Sequence, residues 1–113
     1  MFDSVSIAAL TSALDGLSLR QRAIADNIAN INTPGYHAKR VAFEEALASA
    51  VSGGSGRVTP TVSESLEPTR LDGNNVNLDT ETLSSIDTVL RYQFASQAIN
   101  GSFSSVRTAM RTS

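Results

Sequence analysis

Ile24-Ala25-Asp26-Asn27-Ile28-Ala29-Asn30-Ile31-Asn32-Thr33-Pro34-Gly35-Tyr36 passes from helix to turn, and its reading decides the fold. Ile24, Ile28 and Ile31 recur at four and three residues, one apolar stripe on a helical surface. Asn27 and Asn30 sit beside that stripe, where their amides can bond to neighbouring backbone or to a partner. Pro34 biases Thr33 away from the α region, so the helix is expected to end by Asn32. Pro34 and Gly35 suit the two central positions of a type II turn, since proline presets φ and glycine accepts a positive one. Local physics alone makes this a helix C-terminus closed by a turn, a feature open to many proteins.

Upstream, the stripe extends back to the start of the chain. Ile7, Leu10, Leu14, Leu17, Gln21, Ile24, Ile28 and Ile31 are spaced 3, 4, 3, 4, 3, 4 and 3 residues apart. That is an a/d heptad seam with one polar interruption, at Gln21, and it predicts a single helix over about residues 4–31. Such a seam needs a partner to cover it. Gly16, inside this helix, marks a place where a neighbour comes close.

Downstream, residues 37–41 read as a polar, extended segment with a small basic cluster. Phe43, Leu47 and Ala50 or Val51 predict a short amphipathic helix over about 42–51. Ser52-Gly53-Gly54-Ser55-Gly56 has the composition of a flexible linker. Pro60 and Pro68 then exclude a long helix from residues 57–71, leaving loop with short strands. Asp72-Gly73-Asn74-Asn75-Val76-Asn77-Leu78-Asp79 is a turn-forming stretch, with Asp79 or Thr80 as the expected N-cap of a second long helix. It is a poor calcium loop, because glycine stands at its second position and Leu83 replaces the closing glutamate. The second helix is predicted over about 80–111. Leu83, Ile86 and Leu90 begin one stripe, and Val89, Tyr92, Ile99, Phe103, Val106 and Met110 follow spacings of three, four and seven. Two overlapping apolar faces imply packing on more than one neighbour.

The expected fold is therefore mainly α, two long terminal helices packing as a coiled-coil-like pair around a short irregular, β-containing middle. The 113 residues form one domain: an N-terminal helix over 1–32, a turn, short helix, linker and loop over 33–79, and a C-terminal helix over 80–113.

Composition narrows function by exclusion. The net charge of −2 offers no strong electrostatic case for nucleic acid. Cysteine is absent, which removes disulfides and thiolate chemistry. No apolar run approaches the roughly 20 residues that span a bilayer. Met1-Phe2-Asp3-Ser4 lacks the basic and apolar regions of a cleaved secretory signal, so none is expected. His37, the single histidine, follows a turn beside Lys39 and Arg40 and has no acidic orienter or nucleophile near it in sequence. Glu44 and Glu45 read as a solvated helix face. We therefore expect no enzyme, no cofactor, no metal and no small-molecule substrate.

The run Asn27-Ile28-Ala29-Asn30-Ile31-Asn32-Thr33-Pro34-Gly35-Tyr36 resembles, without a gap, the Asn-Ile/Leu-Ala-Asn-x-x-Thr-Pro-Gly-Tyr signature near the N-terminus of bacterial flagellar rod and hook proteins. The stretch from Leu71 to Glu81, with Leu90-Arg91-Tyr92-Gln93, is similar to the C-terminal half of one of the two sister proximal-rod proteins in that family. The middle, about 49–69, matches nothing useful. The resemblance implies a structural subunit of the flagellar basal-body rod in the periplasm. It also implies that Asn27, Asn30, Thr33, Pro34, Gly35 and Tyr36 form an assembly motif. On the helices, Leu10, Leu14, Leu17, Ile24, Ile28, Ile31, Leu83, Ile86, Leu90, Ile99, Phe103, Val106 and Met110 are the expected packing positions. Implied partners are copies of the chain, other rod proteins, the adaptor FliE at the membrane-ring end and, in transit, the flagellar type III export apparatus. The competing class is a soluble helical adaptor that binds one helix of a cytosolic partner.

Overall fold

The computed structural model describes residues 4–112, in the order α1 (Ser4–Ala29), β1 (Lys39–Ala42), α2 (Glu44–Ser52), β2 (Thr61–Glu64) and α3 (Leu78–Thr112). Most of the N-terminal tetrapeptide weighed against a secretory signal lies outside the described residues. Two long helices dominate an elongated body of 66 × 26 × 14 Å. They run antiparallel, because Asn27 meets Glu81 whereas Gln21, a turn and a half earlier, meets Ser85 further along α3. The fold is mainly α with a short β-containing middle, as the two periodic segments imply.

α1 ends at Ala29, a few residues before Pro34, and α2 begins just after Phe43. Phe43 is thus not on the α2 face. It occupies the position before the helix and is buried with Leu17, Ala23 and Val41 in the apolar core. The strands form an antiparallel ribbon that pairs Lys39 with Glu64 and Val41 with Val62. Val41 is buried in the core, whereas its cross-strand partner Val62 is exposed, as is the whole of β2. α3 starts two residues earlier than expected. The carboxamide Oδ1 of Asn77 accepts the backbone N–H of Asp79 and of Thr80 at 3.0 and 3.3 Å, so Asn77 is the N-cap.

The glycine-rich stretch is a tied turn rather than a free spacer. Gly53, Gly54, Ser55 and Gly56 all donate backbone N–H groups back to carbonyls of α2. Gly56 has φ +67 and lies so close to α1 that a Cβ there would be 2.5 Å from the Val5 carbonyl oxygen. Ser12 Oγ donates to the Gly56 carbonyl at 3.0 Å and accepts from Val58 N–H at 3.3 Å. The middle segment is thereby fastened along the first half of α1.

The largest departure concerns the inward side of α3. Its buried residues are Glu81, Thr88, Ala95 and Ser102, a heptad of small and polar side chains. The large apolar residues named as packing positions face outward within the subunit: Leu83, Ile86 and Leu90 are 69, 55 and 60 % exposed, with Val89, Phe103, Val106 and Met110 also exposed and Ile99 half-buried. On α1 the expected seam is covered unevenly. Leu17 and Ile24 are buried, Ile7, Leu10, Leu14, Gln21 and Ile31 are half-buried, and Ile28 is exposed. Bulk on α1 meets small residues on α3, so the two backbones approach closely and the apolar stripe of α3 has no place inside.

Candidate functional site: the junction of the two terminal segments

The turn that closes α1 has the geometry its residues call for. Tyr36 N–H donates to the Thr33 carbonyl at 3.2 Å across Pro34-Gly35, and Gly35 has φ +76. The Asp72-Gly73 turn docks directly on it. Gly35 N–H donates to the Asp72 carbonyl at 2.8 Å, and a Cβ on Gly73 would be 3.3 Å from the Gly35 Cα. Glycine at 73 lets the two turns meet backbone to backbone, while glycine at 35 supplies the positive φ.

Asn74 completes the end of α1 from across the chain. Helix C-termini leave carbonyls without intrahelical donors. The Asn74 Nδ2, wholly buried, sits among the carbonyl oxygens of Asn30, Ile31 and Thr33 at 2.9, 3.2 and 2.9 Å. Its Oδ1 accepts Val76 N–H at 2.7 Å, so the loop is bent by the same side chain that caps the helix. Arg70 adds a guanidinium bond to the Ile31 carbonyl and another, of 2.7 Å, to the Val76 carbonyl. Asn75 binds the entrance to β1: its Oδ1 accepts Ala38 N–H at 2.7 Å and its Nδ2 donates to the Ser65 and Glu67 carbonyls at 3.1 Å each.

Asn27 is the second hub, also wholly buried. Its Oδ1 accepts Lys39 N–H at 2.8 Å and the Tyr36 hydroxyl at 3.3 Å. Its Nδ2 donates to the Lys39 carbonyl at 3.1 Å and to Glu81 Oε1 at 3.0 Å. The side chain therefore imitates one more strand residue beside β1 while it grips the first turn of α3. Glu81, wholly buried, also accepts from Arg40 Nη1 at 2.8 Å. One amide and one ion pair thus set the register of α1, β1 and α3 at a single point. Asn30 plays a local part: it donates to the Asp26 carbonyl at 2.8 Å and accepts from the Thr33 hydroxyl at 3.0 Å.

A lesser clamp lies farther along α1. Arg20 makes two 2.6 Å bonds to the carboxylate of Glu44, donates to the Val41 carbonyl at 2.7 Å and stacks 4.9 Å from the centre of the Phe43 ring. Arg91 of α3 reaches the same carboxylate at 3.5 Å. The Arg20 hydrogen bonds hold the Glu44 carboxyl below its usual range. Glu44 is therefore a tether between α1, α2 and α3, not the purely solvated residue expected.

The structure brings Asn27, Asn30, Thr33, Gly35 and Tyr36 together with the Asp72–Asn77 loop, and Pro34 stays exposed at the tip of the turn. Sequence reasoning missed Asn74, Asn75, Arg40 and the burial of Glu81. The one available signal was the density of asparagine after Asp72, because asparagine both turns a loop and serves distant backbone. Among the described residues no group of three or more His, Asp or Glu could hold a metal ion. No described helix is long and apolar enough to cross a membrane.

Comparison with known proteins matches a family model to the N-terminal segment and relatives to most of the chain. Residues 7–37 match the family model described as "Flagella basal body rod protein". The chain is similar to "Flagellar basal body rod protein FlgB" of Bacillus subtilis, 30% identical over 121 aligned positions that cover 95% of this chain and 94% of the relative. It is also 31% identical to the protein of that name from Borrelia hermsii, covering 87% of this chain and 90% of the relative. With the Escherichia coli protein it shares 30% identity, over 83% of this chain and 86% of the relative.

Proposed function

Since the chain belongs to the flagellar basal body rod protein family, and so has a structural role in the rod, we propose that it is a FlgB-type subunit of the proximal rod that transmits torque across the periplasm. The observation that carries this reading is the division of labour on α3. Small and polar residues are spent inside the subunit, and Leu83, Ile86 and Leu90 are left outside where neighbours can bury them. An open, non-closing set of contacts of that kind builds a rod rather than a closed oligomer.

In this reading the assembly motif does not itself make the contacts. Asn27, Asn30, Thr33, Pro34, Gly35 and Tyr36 hold α1 and α3 in register, and the α3 stripe with Leu10, Leu14, Ile28 and Ile31 of α1 meets other subunits. Its neighbours are copies of the chain, other rod proteins and FliE at the membrane-ring end, reached by passage through the flagellar type III export apparatus. The sister protein FlgC is the alternative within the rod.

Two measurements test it. Purified basal bodies should retain the protein, whereas a soluble adaptor would stay in the cytosolic fraction. The gene should restore motility to a strain of its own host that lacks FlgB and not to one that lacks FlgC. Rescue of the second strain alone would transfer the assignment to FlgC.

A further inference from the structure

α2 is the least secured of the three helices. None of its nine residues is buried, and only Leu47 and Ala50 are half-buried. A helix shorter than about 12 residues is marginal in water unless packing holds it. Its N-cap, Phe43, makes no side-chain bond to the first turn, because the ring is committed to the core. Among the described residues, Glu44 is the only α2 side chain hydrogen-bonded to another element. The polar attachment of the whole helix is thus one carboxylate, gripped by Arg20 of α1 and reached by Arg91 of α3.

The chain on either side of α2 is fastened independently of it. Before it, Phe43 is buried with Leu17, Ala23 and Val41. After it, Ser12 Oγ holds the Gly56 carbonyl and Val58 N–H. Both anchors lie on α1: the Phe43 ring rests on Gly16, and Gly56 packs on Val5 and Ala9. Positions 5 and 16 of one helix are about 17 Å apart at 1.5 Å per residue. Residues 44–55 span roughly 40 Å when extended, so α2 can unravel without pulling on either anchor.

We propose that α2 is a latched flap: residues 44–55 open and close as a unit between Phe43 and Gly56, and the Arg20–Glu44–Arg91 clamp is the latch. Opening frees the backbone of that segment and gives up little buried apolar area, chiefly the contact of half-buried Leu47 with the core. The rest of the subunit keeps its own bonds. Arg20 retains the Val41 carbonyl and the Phe43 ring, and Arg91 retains Asp87 at 3.0 Å, so neither guanidinium is stranded by opening. Because Glu44 is exposed, salt weakens the latch. The inference goes beyond the rod reading and does not depend on it.

Amide exchange in the intact, dilute chain tests it. Amides of residues 47–52 should exchange faster than those around Asn27, at a rate that low urea hardly changes, since a small opening exposes little surface. Glu44→Gln keeps the size of the side chain, removes its charge, and should speed α2 exchange about fivefold or more. Added salt should act in the same direction. Ser49→Ala, at an exposed α2 position, raises helix propensity and should slow α2 exchange about twofold. Asn30→Ala weakens bonds that persist in the open state, so it should speed exchange around Asn27 about fivefold and leave α2 unchanged. Equal acceleration of both regions by Asn30→Ala would show that α2 opens only with the whole chain, and would overturn the flap. Unchanged α2 exchange in Glu44→Gln would overturn the latch.

Discussion

The ring of Phe43 rests on Gly16, with no room for a side chain between them. A Cβ at position 16 would lie 2.5 Å from Cδ1 and 2.7 Å from Cγ of that ring. Phe43 cannot easily retreat, because it is buried in the core and Arg20 stacks on it. Gly16→Ala gains about 1 kcal/mol of helix propensity but forces overpacking that costs about 1–3 kcal/mol. The net expectation is a loss of stability of up to about 2 kcal/mol, read as a lower urea midpoint with unchanged slope. A stabilised Gly16→Ala variant would show that the ring moves freely.

Asn27 and Asn30 look equivalent in the motif and differ in what they hold. Asn27→Ala strands Lys39 N–H and removes one of two donors from the Lys39 carbonyl and from Glu81 Oε1, both of which keep Arg40 Nη1. A stranded buried group costs about 1–3 kcal/mol, so with the two weakened bonds Asn27→Ala should lower stability by roughly 2–3 kcal/mol. Asn30→Ala removes bonds within one turn of chain, near solvent, and should cost about 1 kcal/mol. Denaturant unfolding of the two variants side by side decides it. Equal losses would remove Asn27 from its role as the register lock.

That difference also marks how far the sequence could be read. The period of three and four located both long helices, and Pro34-Gly35 located the turn, because helix phase and turn chemistry are local properties. The partner of a buried polar group is not. Glu81 is by position a first-turn acid of α3, and only the arrival of Asn27 and Arg40 from distant parts of the chain turns it inward. Periodicity likewise reports that α3 has an apolar face without saying whether that face looks in or out. Leu83, Ile86 and Leu90 are a stripe in either case. The inward choice fell to Glu81, held by Asn27 and Arg40, and to Thr88, Ala95 and Ser102, whose small size suits close approach to the leucines and isoleucines of α1. The glycine stretch was misread for a related reason: composition suggested freedom, whereas Gly56 is needed for close passage over Val5 and Ala9.

Gly35 separates backbone strain from steric clash. A Cβ there meets nothing within 4 Å, yet φ is +76. Gly35→Val should therefore lose about 1–3 kcal/mol from conformation alone, and Gly35→Asn, which tolerates that region, much less. Motility and recovery in basal bodies should follow the same order. Unimpaired motility in Gly35→Val would count against the docked turn as an assembly requirement.

Glu44 gives the fold a dependence on acidity. Its carboxyl is held low by the Arg20 hydrogen bonds, so the folded state favours the ionised form more than the unfolded state does. The stabilisation is complete above the ordinary carboxylate value of 4.5 and fades as pH falls through the depressed folded value. Glu44→Gln should therefore have a lower thermal midpoint than the native chain at neutral pH, and the two curves should converge in acid. Parallel curves through that range would mean that the Arg20 pair contributes nothing to folding.

The last prediction concerns where an isolated subunit is firm. Around Asn27, β1 and the first turns of α3, buried amides and the Arg40–Glu81 pair tie three elements together. Beyond Thr88 the buried residues of α3 are Ala95 and Ser102, which contribute little apolar area to hold a helix that long. Helices in water owe most of their stability to tertiary packing rather than propensity. In dilute monomer, amide exchange should accordingly be slow near Asn27 and from Glu81 to Thr88, and faster by an order of magnitude or more beyond about residue 96. Assembly should extend protection along α3 as neighbours cover Leu90, Phe94 and Phe103. Uniformly slow exchange to the end of α3 in a verified monomer would show that the subunit completes its fold alone, and that its outward stripe is not needed to order the helix.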